Sequence, residues 1–442
     1  MKILKLLSLL LAVSLFSCGE EEITPDGMHF DFGSGKVQNG YIGIDANTRY
    51  VDTLGYGITP YVKVEAFGDV KTRDSKADGL HSAGAFYFEK NVEEGAYKVT
   101  ITLGSNDTET DVTIKGESRR LFVHDLKLKK GEFKTVTFIV DAFTTSVIGN
   151  DRDVGLKERE GPSLKWDNKL SIEFNGKSVN VSSLVLEKVE GLPKVFIAGD
   201  STVTDQDSEP WASWGQMFPF FLKNNIVVSN YAVSGSTLRH YRASRRLGKA
   251  LGEMKKGDFM IIEFTHNDQK QKDYDPFVGF TEDLKDYCDK IIAKGGQPII
   301  ITATMRRRFD EEGKIVNTLG DFPEAMRKYA KENSIPLVDL NKMSAQLFEA
   351  LGVEDSKKAF VHYKIGSFPG VDRDLADNTH FNAYGAFELA KCIVNSMQEQ
   401  NLEIANYIKD DFKGYDPNNP DNPDTFVWPL SPAVSVVKPY GN

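Results

Sequence analysis

The stretch Lys194-Val195-Phe196-Ile197-Ala198-Gly199-Asp200-Ser201-Thr202 runs four apolar residues straight into Gly-Asp-Ser-Thr. That pattern predicts a buried strand ending in a tight turn, which lifts one hydroxyl off the carboxyl edge of a sheet. A serine hydroxyl is a weak nucleophile at its free pKa. Covalent chemistry at Ser201 therefore needs a base, a group that orients the base, and donors for a developing oxyanion. Residues of those types stand in three other places. Ser234-Gly235-Ser236 and Thr265-His266-Asn267-Asp268 each follow an apolar run, and Asp377-Asn378-Thr379-His380-Phe381 precedes an apolar-periodic one. Taken singly, a Ser-Gly-Ser is a turn and an Asp-x-x-His is an N-cap with a surface histidine. Their joint occurrence is what carries weight.

Elements that could position these groups alternate along residues 191–400. Strands are expected at 195–198, 226–233, 259–264, 298–303 and 336–340, and helices at 211–222, 240–254, 280–294, 321–333 and 383–398, with Gly295-Gly296 as a helix stop. Strand and helix in alternation give a parallel sheet covered on both faces, a three-layer α/β/α sandwich with five strands. Ligands of such sheets sit at the carboxyl ends of the strands, where the blocks fall.

Residues 28–190 have a different period. Val99, Ile101 and Leu103 alternate with polar neighbours, as do Val136, Phe138 and Val140, the run Leu170-Ser171-Ile172-Glu173-Phe174, and 184–186. Period two with turn residues between predicts an antiparallel β-sandwich. Phe30-Asp31-Phe32-Gly33 and Asn39-Gly40-Tyr41 resemble the galactose-binding-like jelly roll that precedes the catalytic domain in some bacterial pectin esterases. Tyr41, Tyr50, Tyr56 and Phe88 are available as sugar-facing aromatics and equally suited to packing.

The four blocks, in their order, resemble those of the SGNH, or GDSL, hydrolase family over residues 194–398. The resemblance implies that Ser201 attacks an acyl carbonyl, that His380 takes its proton, and that Asp377 orients the imidazole, with Asp377 and His380 held on one loop. It assigns the oxyanion donors to the amides of Ser201 and Gly235 and the side chain of Asn267, with Asp268 orienting Asn267. No metal or organic cofactor is implied, and no zinc-binding spacing occurs. Gly-x-Ser-x-Gly is absent around Ser201, which disfavours the α/β-hydrolase elbow. Within the family, Gly199-Asp200-Ser201-Thr202, Trp214-Gly215-Gln216, His266-Asn267-Asp268 and Asp377-x-x-His380-Phe381 look most like rhamnogalacturonan acetylesterases, which deacetylate the pectin backbone.

Charge bears on the substrate independently. A formal net charge of -10 argues against nucleic acid as a partner, since no basic excess exists to neutralise phosphates. Against that acidic background, Arg239, Arg242, Arg245 and Arg246 follow the second strand and Arg306-Arg307-Arg308 the fourth. Arginine forks suit the carboxylates of an acidic polysaccharide. Arg306, Arg307, Arg239 and Trp214 are the expected substrate-binding residues. Acetylated xylan, another acetylated glycan or a small acyl ester remains an alternative substrate, and a non-catalytic glycan-capture protein an alternative of another kind.

At the N-terminus, Met1-Lys2-Ile3-Leu4-Lys5 and the apolar run 6–16 read as a secretory signal too short to span a membrane. Leu15-Phe16-Ser17-Cys18 resembles a lipobox, which implies cleavage and acylation at Cys18 and an exported, outer-membrane lipoprotein. Cys288 and Cys392 are expected to be core thiols. The tail, 401–442, holds six of the 17 prolines from Tyr415 onward, which excludes regular helix and predicts a surface path.

Overall fold

The computed structural model describes residues 28–68, 71 and 74–439. Cys18 and the expected signal segment lie outside them. Among the described residues no helix is long and apolar enough to cross a membrane.

Five parallel strands build the sheet that carries the site: Lys194–Gly199, Val227–Asn230, Phe259–Glu263, Gln297–Ile301 and Leu337–Val338. Their spatial order places the second strand outside the first, and the third, fourth and fifth on its other side. The order reverses between the second and third strands, around the first, so Ser201 leaves the sheet at the crevice where ligands of open α/β sheets bind. Val195 and Ile197 face one apolar cluster and Phe196 and Ala198 another, one on each side of the sheet. A strand buried on both faces has no use for polar alternation, which is why these strands read as continuous apolar runs.

Several elements differ from their sequence pattern. The expected helix at 211–222 is one turn, Trp214–Met217, followed by a 3-10 turn, Phe218–Phe221. Ser213 caps its start and Pro219 removes a backbone donor just past its end. The expected helix at 240–254 is two, Leu238–Ala243 and Arg246–Glu253, broken where Arg245 adopts a left-handed φ of 65°. An additional helix, Leu340–Asp355, follows the fifth strand.

The most consequential difference concerns Asp377 and His380, which lie not on a loop but on the strand Leu375–Phe381, antiparallel to Phe360–Tyr363. Phe360 pairs with Phe381 and Val361 with Asp377, so three residues bulge between adjacent partners. In a regular strand, residues three apart point to opposite faces. Here the Asp377 carboxylate accepts the amides of Thr379 and His380 at 2.7 and 2.9 Å, and the bulge turns both side chains to one side.

The N-terminal part is all β, organised on one 21-residue strand, Lys169–Val189. Its two halves looked like separate runs in the sequence. Register shifts at Asn175/Ser178 and Val181/Ser183 let a single chain bend and pair with His29–Phe32, Asp78–Ser82, Phe86–Asn91, Gly95–Gly104 and Thr110–Gly116. Phe30, Phe32, Phe88 and Phe174 fill the enclosed core.

Buried ion pairs join this part to the parallel sheet. Arg120 reaches Asp205 at 2.9 Å, and Arg119 pairs with Glu209 while donating to the carbonyls of Gln206 and Trp211. Asp141 accepts from Ser229 and lies 3.3 Å from Lys194. The chain after Ser201 is therefore clamped from the N-terminal part. The tail then crosses the same boundary: Trp428 donates to Glu209, Lys115 donates to the carbonyl of Pro429, and the Glu209 backbone donates to Ala433 O and accepts from Ser435 N.

Candidate active site

Ser201 Oγ lies 2.9 Å from His380 Nε2, and His380 Nδ1 lies 2.9 Å from Asp377 Oδ2. Burial would raise the Asp377 pKa, but hydrogen bonds from the His380 ring and the amides of Thr379 and His380, with the nearby imidazole charge, hold it well below the usual carboxylate range. Asp377 is thus an ionised acceptor that fixes the tautomer leaving Nε2 free to take the Ser201 proton. Ser201 itself is 1% exposed.

The expected oxyanion donors come together beside Asp200, the residue before the serine. Gly235, on the turn after the second strand, takes φ of 72°, open to glycine at little cost. The Asn267 amide reaches Asp200 Oδ2 and the Ser236 carbonyl, each at 3.2 Å. Asp200, not Asp268, therefore orients Asn267. Asp268 instead accepts the amide of Leu238 and holds the helix after the Ser-Gly-Ser turn. His266 is buried, donates from Nε2 to Thr304 O, and is held well below the ordinary histidine range by burial and then by the charges of Arg306 and His380. It is a neutral packing group.

Beneath Ser201 sits a carboxyl pair that the sequence reading did not single out. Thr202 Oγ1 lies 3.0 Å from Asp200 Oδ1 and 3.1 Å from Glu263 Oε1. One hydroxyl hydrogen serves one carboxylate, so the second bond needs a proton on its partner. Asp200 also accepts the Thr202 amide and Asn267, while Glu263, at the end of an apolar strand, accepts Trp214 Nε1 and a backbone hydrogen bond from Thr304. The charge belongs on Asp200 and the proton on Glu263, whose carboxyl burial and the Asp200 charge push up to about 8. A glutamate inside the run Phe259-Met260-Ile261-Ile262-Glu263-Phe264 was the available signal.

These features have counterparts in known proteins. The sequence pattern of the GDSL-like Lipase/Acylhydrolase family matches residues 197–386, and that of the Beta-agarase/YXIM esterase-like, galactose-binding domain-like family matches 28–119. Rhamnogalacturonan acetylesterase RhgT of Bacillus subtilis is 37% identical over 217 residues, 49% of this chain and 94% of the relative. The uncharacterized esterase YxiM of the same organism is 27% identical over 395 residues, 86% of this chain and 92% of the relative.

The chain belongs to the GDSL-like lipase/acylhydrolase family.

As a GDSL-like hydrolase it is a carboxylic ester hydrolase with a galactose-binding-like domain in front. Of the substrate-binding residues expected in it, Trp214 is misplaced: it is fully buried, its indole spent on Glu263 at 2.6 Å, and it offers no face to a ligand. Arg239 is turned onto Asp283 and over the Tyr274 ring, and Arg307 onto Val353, Ser356 and Asn378. Both are occupied with structural partners. Arg306 donates to Thr318 and to the His266 carbonyl, and lies near enough to the site to feel the charges of Asp200 and Asp377. Burial lowers its pKa against the charges of Asp200 and Asp377. Lysines that carried no sequence signal join it. Lys438 of the tail lies 3.3 Å from Asp377, Lys270 lies 3.4 Å from Asn267 Oδ1, and Lys157 donates to the carbonyl of Ser234. Trp211 meets the His380 ring edge-on at 5.8 Å and donates to Ser435 O, so the tail forms part of the wall.

Proposed function

We propose that this GDSL-like hydrolase removes O-acetyl groups from a uronate-containing polysaccharide of the rhamnogalacturonan type. Ser201 attacks the acetyl carbonyl as His380 takes its proton, and the amides of Ser201 and Gly235 with the Asn267 side chain receive the oxyanion. His380 then protonates the departing sugar oxygen as its bond to the acetyl carbon breaks, which frees the sugar hydroxyl. Water, deprotonated by the same imidazole, releases acetate from the acyl-enzyme. The observation that carries the substrate class is the ring of cations, Lys157, Lys270, Arg306 and Lys438, drawn from separate segments around Ser201. In a chain of net charge -10 such a ring favours an anionic ligand. The relative named as a rhamnogalacturonan acetylesterase supports the same reading.

Acetate release from acetylated rhamnogalacturonan, acetylated xylan and a chromogenic acetate ester tests it, with Ser201→Ala as control. The expected result is serine-dependent release that is fastest on the pectic polymer and falls with added salt. Equal or faster release from the neutral xylan would remove the acidic substrate. Anchoring at Cys18 is part of the proposal: a Cys18→Ala protein is expected to leave the membrane fraction for the soluble one, and its retention would refute the lipid anchor.

A further inference from the structure

The cavity beside Ser201 is narrow, about 40 Å³, and is walled by Gln206, Trp211 and Ser234. Gln206 donates to the Ser201 backbone carbonyl at 2.6 Å and Trp211 meets the His380 ring edge-on at 5.8 Å, so two of its wall residues touch the catalytic serine and histidine. A wider one of about 470 Å³ lies over the N-terminal part. Arg159, Ser163, Asp207 and Ser208 line both, so the two cavities adjoin at a neck built from those residues.

We propose that the wider cavity is a binding track for the polysaccharide chain, running from the Trp211 and Ser435 wall beside His380 across the domain boundary to an aromatic platform at Tyr61. The proposal rests on the substrate class argued above. Tyr61 is 59% exposed at the far end, yet it is held in place. Its amide donates to Ala85 O, and its ring stands edge-on to Tyr87 at 5.7 Å. Tyr87 is in turn buried and fixed by a hydrogen bond to Glu173. A large ring kept exposed and rigid beside polar groups matches the apolar face and hydroxyl rim of a pyranose.

The neck suits an acidic sugar. Arg159 is half-buried there, its Nη1 donating to Lys438 O, and its fork can take a uronate carboxylate. Ser163 Oγ is buried at the neck with no hydrogen-bond partner among the described residues, a position a sugar hydroxyl would satisfy. Ser435 of the tail also lines the wider part, so three segments of the chain meet in one track. None of the aromatics nominated from the sequence lies on it. Phe88 is fully buried in the sandwich core, and Tyr50 is bonded to Asp52 and Asn91.

Length dependence separates this track from an active site that reads a single sugar. The probes are short and long acetylated rhamnogalacturonan oligosaccharides, with acetylated xylan oligosaccharides as a second series. In wild type, kcat/KM should rise with chain length. In Tyr61→Ala the ratio of kcat/KM on the long to the short oligosaccharide should fall about tenfold, the loss of a single stacked sugar, and Tyr61→Phe should restore it. Binding of the long oligosaccharide to Ser201→Ala should weaken by the same factor when Tyr61→Ala is added. A flat length series in wild type, or a ratio unchanged by Tyr61→Ala, would overturn the track. Length dependence confined to the xylan series would support the track while refuting the acidic substrate.

Discussion

Ser201, His380 and Asp377 are linked by two hydrogen bonds of 2.9 Å, and Asp377 spends its other oxygen on two backbone amides. The Asp377 Oδ2 contact with Nδ1 is the one that sets the imidazole tautomer. Asp377→Asn is expected to keep the fold and lower kcat by about 10⁴-fold, because the amide can present a donor where His380 needs an acceptor. Steady-state kinetics with a circular dichroism check on folding measures this; a loss under tenfold would show that Asp377 does not set the tautomer. Lys438, 3.3 Å from the same carboxylate, is a second cation on the relay acid, and nothing in its sequence context announced it.

At the scale of elements, the strand ends under the site carry carboxyls that burial keeps protonated. Glu263 and Asp268 are each pushed up to about 8, by burial first and then, among other causes, by the charge of Asp200. Free carboxyls of these types titrate near pH 4. The folded chain therefore holds more protons than the unfolded chain between roughly pH 4 and 8, and stability falls as pH rises through that window. Asp377 has the opposite sign: its folded value is depressed, so its contribution is present above the unfolded value and is lost as pH falls below it. Glu263→Gln keeps an acceptor for Trp214 and cannot titrate. Its melting temperature is expected to decline less than that of wild type from pH 5 to 8, read by calorimetry in matched buffers; parallel curves would mean that Glu263 is ionised throughout.

For the molecule as a whole, the tail serves both parts. It supplies Trp428 to Glu209, Ser431 to Glu173, an acceptor to Trp211, and Lys438 to Asp377. Removing residues 428–442 strips partners from Lys115, Glu173 and Glu209, all buried. Each buried polar atom left unpaired costs about 1–3 kcal/mol. The truncated protein is expected to melt several degrees lower and to lose activity even on a small ester, since the wall beside His380 goes with it. Unchanged melting and activity would show that the tail is merely laid on the surface.

The parallel sheet and the four blocks were legible in the sequence because both depend on local chemistry. A strand buried on both faces must be apolar throughout, and a strand that ends in a reactive turn must place its polar residues at fixed offsets. The period-two pattern similarly marked the N-terminal part as all β. What the tertiary structure decided are relations between distant segments. Asp200 rather than Asp268 holds Asn267, because the turn after the first strand lies against the turn after the third. Trp214 is core and Arg239 and Arg307 are structural, because their partners Glu263, Asp283 and Ser356 come from elsewhere in the chain. The three-residue bulge that aims Asp377 and His380 together needs the neighbouring strand Phe360–Tyr363 to define it. Lys157, Lys438 and Tyr61 stand far from Ser201 in sequence and carry no local pattern. A charge or a ring signals its local surroundings in the sequence, whereas its partner across the fold is set by packing and by buried pairs such as Arg120 with Asp205.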